Sequence, residues 1–118
     1  MSTRCNVKVV FDEDHSKLFY HHYDGYPDCV GAELVELVSS ELTGNSGKSG
    51  FYDFCELLVE DYGYEVTNYE SGDIDWYYEV IVPECKVHCY KCDWRTDTKI
   101  LVSSDLEESL RCSGESLY

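Results

Sequence analysis

Three groups of residues in this chain have types and spacings that could do chemistry. Cys85, His88, Cys89 and Cys92 put three thiols and an imidazole within eight positions, the ligand set of a small zinc site. The segment reads as a strand, however, in which Cys85, Val87 and Cys89 point one way and Lys86, His88 and Tyr90 the other. No glycine is present to form a knuckle, so the thiols read as small buried hydrophobes. His21-His22-Tyr23-Asp24-Gly25-Tyr26-Pro27 sets His and Asp at a strand-to-turn junction, where they could bind a metal or act as an acid–base pair. Consecutive histidines face opposite sides of a sheet, so at most one joins Asp24. Turn chemistry accounts for Asp24, Gly25 and Pro27 without a ligand. Gly47-Lys48-Ser49 matches the end of a phosphate-binding loop, but Leu42 stands where its first glycine belongs and a helix, not a strand, precedes it. No catalytic motif is left, and the chain reads as a non-enzyme with no cofactor.

The carboxylates carry more information. Residues 19–85 hold fifteen Asp and Glu against one cation, Lys48, a net of −14 out of −15 for the whole chain. A field of that size repels nucleic acid and attracts basic protein surfaces. Glu56 and Glu60 stand four apart on a helical pattern, where like charges cost a few tenths of a kcal/mol, roughly, and acids near a helix C-terminus oppose its dipole. Local helix stability therefore does not explain them.

A length of 118 residues with 43% hydrophobic content suits one domain with a real core. The seven cysteines are an odd number. Met1 leads straight into a strand pattern with no apolar leader and no span, so the expectation is reduced thiols in a cytoplasm and no membrane.

The elements that must position these groups follow from periodicity. Cys5 to Phe11 and Lys17 to Tyr23 read as a hairpin. Asp28 is placed to N-cap a helix whose stripe is Val30, Leu34, Leu37, Val38 and Leu42, with Glu33 and Glu36 facing away. A polar loop spans 44–50. A second helix is expected from Phe51 to Tyr62, burying Phe51, Phe54, Cys55, Leu58, Val59 and Tyr62, with Gly63 beyond its end. Tyr64 to Tyr69 reads as a strand, and Ile74 to Val82 with Cys85 to Trp94 as a second hairpin. The order β-β-α-α-β-β-β predicts an α+β fold, an antiparallel sheet of about five strands with both helices on one face. The domain is expected over 1–103. Residues 104–118 read as a short helix, capped by Ser104 and Glu107, and a loose tail.

The string Arg4-Cys5-Asn6-Val7-Lys8-Val9, followed by His22-x-Asp24-Gly25-Tyr26-Pro27-x-x-Val30-Gly31, resembles small phage and prophage proteins of gut bacteria. The resemblance covers about the first third of the chain, with Cys29 departing from the small or acidic residue expected there. It implies a compact α+β fold and a mobile-element origin, and it brings no activity with it. In size, acidity and lack of motif the chain is also similar in kind to anti-CRISPR inhibitors, with no shared motif to carry residues across.

Binding outweighs chemistry on this reading. The first expectation is an acidic interaction module, a phage-type inhibitor of host defence whose carboxylates replace phosphates against a Lys/Arg channel of a host protein such as a CRISPR effector. Its surface would comprise Glu33, Glu36, Asp53, Glu56, Glu60, Asp61, Asp73 and Asp75. A second possibility is a binder or sponge for a signalling nucleotide, lined by His22, Asp24, Tyr26 and Lys48. A third is a metal-dependent enzyme using His22 and Asp24, and a fourth is an acidic domain whose charge serves only solubility.

Overall fold

The computed structural model describes residues 3–22, 25–45, 47–68, 74–93, 95–96 and 98–106. Among these residues six strands and two α-helices form an α+β fold, the class that the periodicity predicts. Strands β1 (Cys5–Val10) and β2 (Ser16–His21) are the first hairpin. Helices α1 (Ala32–Leu37) and α2 (Lys48–Glu60) follow, then β3 (Glu65–Thr67), β4 (Trp76–Ile81), β5 (Lys86–Asp93) and β6 (Thr98–Ser103). The sheet order is β3-β2-β1-β4-β5-β6.

Two features differ from the expected sheet. It is mixed, because β1 and β4 pair in parallel, Cys5 opposite Trp76 through Val10 opposite Ile81. Each hairpin contributes its first strand to the centre, and the helical layer supplies the crossover that a parallel pair requires. There is also a sixth strand, β6, which pairs antiparallel with β5 through an irregularity at Cys89/Tyr90. That irregularity sets aside the simple alternation by which strands are recognised.

One face of the sheet carries the core. Cys5, Val7, Val9, Phe19, Trp76, Tyr78, Val80, Val87 and Cys89 are buried there against the helices. The whole stripe Val30, Leu34, Leu37, Val38 and Leu42 is buried as expected. The helix itself is less regular than its stripe. α1 is continued at both ends by widened turns, Pro27–Gly31 before it and Val38–Leu42 after it, with Gly31 N–H reaching the Tyr26 carbonyl at 3.3 Å and Thr43 N–H the Val38 carbonyl at 3.2 Å. Asp28 is not the N-cap. Pro27 opens the helix, where its missing N–H costs nothing, and extended Tyr26 precedes it.

Helix α2 begins at Lys48, three residues earlier than expected, so Lys48, Ser49 and Gly50 belong to its first turn. Gly50 permits this: a Cβ there would overlap the Asn45 carbonyl oxygen of the incoming chain. The helix ends before Gly63, whose φ of 71° turns the chain back so that Tyr64 N–H meets the Leu58 carbonyl at 3.0 Å. Phe51, Phe54, Cys55 and Leu58 are buried, but Val59 and Tyr62 are not, at 40% and 38% exposure. Val59 opens into a groove with Val66 of the three-residue edge strand β3, and Tyr62 lies past the end of α2 in a groove with Glu33 and Glu36.

Candidate functional site

The segment 27–62, which forms the helical layer, carries eight carboxylates and one cation, Lys48. Glu36, Glu41, Asp53, Glu56, Glu60 and Asp61 are exposed and Glu33 is half-buried. Glu33, Glu36 and Glu41 line one groove of about 370 Å³ with Tyr62, Cys29 and Ser40. Glu56 and Glu60 line a second, beside Lys17. Glu41 was not among the residues expected at the surface patch. The signal was available, since it lies eight residues, about two helical turns, after Glu33.

The sheet divides the cations: Lys17, paired with buried Val9, and Lys91, paired with buried Trp76, lie on the helical face together with Lys48 of α2, and three others lie on the opposite face. On its other face Lys8 stands opposite Glu79, Lys86 opposite Ile81, and the Lys99 ammonium sits 4.1 Å over the Tyr77 ring. Tyr77 and Tyr90 meet edge to face there, with centroids 5.7 Å apart, and both hydroxyls donate to Glu79. Asp75 does not join the helical acids. It shares a pocket at the end of β5 with Lys91 and Arg95, where the local charge is mixed. Asp73 lies outside the described residues.

The residues expected to line a nucleotide site are not brought together. His22 and Tyr26 lie by the Cys5 end of β1, where Gly25 N–H bonds the Thr3 carbonyl at 2.9 Å. Lys48 is one turn before Phe51, which packs on Phe11 at the other end of that strand. A six-residue strand separates the two ends by roughly 17–20 Å. His21 and His22 diverge as the pleat requires: the His21 ring lies 4.4 Å from Tyr64, and His22 Nδ1 is hydrogen-bonded to the Tyr20 hydroxyl at 3.0 Å. Asp24 lies outside the described residues. The Gly25 carbonyl accepts a buried 2.6 Å bond from the Tyr78 hydroxyl, which ties this turn to the core.

The described cysteines sit in three settings. Cys5, Cys55 and Cys89 are buried, Cys85 and Cys92 are half-buried, and Cys29 is exposed. Desolvation pushes the Cys55 thiol up to about 11 and the Cys89 thiol up to about 12, and it raises Cys5 further. Thiols held protonated in this way are poor nucleophiles and poor metal ligands. Val87 and Cys89 face the helices while His88 and Tyr90 face away, and Cys85 turns off the strand with a φ of 53°. Among the described residues no three His, Cys, Asp or Glu side chains are grouped to hold a metal ion. Among them, too, no helix is long and apolar enough to cross a membrane. Comparison of the chain with protein-family models, curated proteins and solved structures finds no match.

Proposed function

We propose that this chain is an acidic protein–protein interaction module that blocks a basic, nucleic-acid-binding groove of a host protein, as a phage-encoded, anti-CRISPR-like inhibitor would. The observation that supports this reading is the excess of exposed carboxylates on the helical side of the sheet. Glu36, Glu41, Asp53, Glu56, Glu60 and Asp61 are exposed there against Lys48 of α2 and Lys17 and Lys91 of the sheet face beneath, while Lys8, Lys86 and Lys99 lie on the other face. Carboxylates spaced along helices offer a Lys/Arg channel the same anionic contacts as a phosphate backbone, and a channel built for phosphates is already desolvated and oriented for them.

The test is capture of partners from host lysate by the immobilised full chain at low and at physiological salt. The expected partner is basic and nucleic-acid-binding, and it is lost as salt rises. Glu56→Lys with Glu60→Lys should cut its capture more than Asp97→Lys or Glu115→Lys. Retention that does not change with salt, or equal effects of the two pairs, would remove the phosphate-mimicry reading.

A further inference from the structure

Seven large apolar side chains among the described residues are exposed, and three of them, Tyr52, Val59 and Val66, meet in one groove. They come from two elements, with Tyr52 and Val59 on α2 and Val66 on β3, and are 47%, 40% and 57% exposed. Single exposed apolar residues need no explanation, but convergence in one concavity does. The groove holds about 330 Å³, at the lower end of the range for ligand pockets and enough for a few side chains. It runs along one flank of α2, from Tyr52 to Val59, beside the edge of the sheet where Val66 of β3 pairs with Phe19 of β2.

Its rim is charged. Glu56 and Glu60, one turn apart on α2, face Lys17 across it. An apolar centre with a polar, charged rim is the anatomy of a protein interface. We propose that this groove docks a short basic segment of a partner protein, which inserts apolar side chains between Val59 and Val66 while its Lys or Arg groups meet Glu56 and Glu60. The proposal rests on the interaction-module reading above and gives it a centre. The apolar contact supplies affinity that charge alone does not, and the carboxylates select the sign of the partner. Among the described residues Lys17 is the one rim group that opposes a cationic occupant.

The probe is a labelled synthetic peptide of alternating leucine and arginine, with a serine–arginine counterpart, followed by fluorescence anisotropy on the full chain. Val59→Asp makes the protein more negative, so simple charge attraction tightens both peptides. Groove docking instead weakens the leucine–arginine peptide by about tenfold, the loss typical of one interface anchor. Val66→Asp, on a different element, should do the same, with circular dichroism showing that the fold is retained. Lys17→Glu should tighten the same peptide several-fold. Tighter binding by both Asp variants, or no response to Lys17→Glu, overturns the groove. If the groove fails in this way while Glu36→Lys still weakens binding and salt still abolishes it, the acidic-layer reading survives alone. If neither peptide responds to salt, both readings fall.

Discussion

The Tyr64 hydroxyl donates a 2.9 Å hydrogen bond to Glu33 Oε1 across thirty-one residues of chain. Tyr64 is buried where the chain leaves α2, and desolvation, followed by the Glu33 charge, holds its hydroxyl protonated far above the ordinary tyrosine range. The bond therefore fastens α1 to the segment that enters β3. Glu33 belongs to the acidic layer but is committed internally, unlike exposed Glu36 and Glu41. Tyr64→Phe should cost about 1–2 kcal/mol, the worth of a partly buried hydrogen bond to a charged acceptor. Glu33→Gln, which keeps the acceptor, should cost less than Glu33→Ala. Urea unfolding of the three variants checks this, and equal losses for the Gln and Ala variants would mean the acceptor does not matter.

Local periodicity made the helical half of this fold legible, and non-local pairing hid the rest. The Val30–Leu42 stripe is buried at every position because a single face decides it. Val59 on α2 and Tyr62 just past its end continue the same pattern and yet stay exposed, since spacing alone does not report which positions of a helix another element covers. The parallel β1–β4 contact joins residues some seventy positions apart and has no local signature. Ile100 and Leu101 are adjacent, apolar and both exposed on an edge strand, so β6 shows no alternation to read. For the candidate surface, the helical acids could be placed by their spacing. The company of Asp75 could not, because the β4–β5 register brings Lys91 and Arg95 to it.

Alkaline pH should destabilise the fold through its buried thiols. Burial raises Cys55 from 9.0 to about 11 and Cys89 from 9.0 to about 12. The folded state therefore holds protons that the unfolded chain gives up near pH 9. The stability they contribute is complete below pH 9 and is lost as pH rises through 11 and 12. For Cys55 two pH units correspond to about 3 kcal/mol at most. Unfolding free energies measured in reductant between pH 8 and 11 should fall, and Cys55→Ala should flatten that fall. An identical pH slope in the variant would show that Cys55 is not desolvated.

Leu106 carries the core past β6. The expected domain stopped at 103, but Leu106 is fully buried, and a Cβ added to Gly31 would come within 2.8 Å of its Cδ2 and 3.3 Å of the Tyr78 ring. Asp105 N–H bonds Ser103 Oγ at 3.2 Å, which turns the chain after β6. The side chain closes the core where the widened turn before α1, at Gly31, meets Tyr78 of β4, so its removal leaves a cavity that Gly31 cannot fill. Leu106→Ala should cost about 2–5 kcal/mol, a fall in Tm of roughly 8 °C or more for a domain of this size. A chain ended after Ser103 should lose at least as much. Leu101→Ala is the matched control, because Leu101 is half exposed, and it should stay within about 0.5 kcal/mol. Equal thermal midpoints for the shortened and full chains would place the end of the core back at β6.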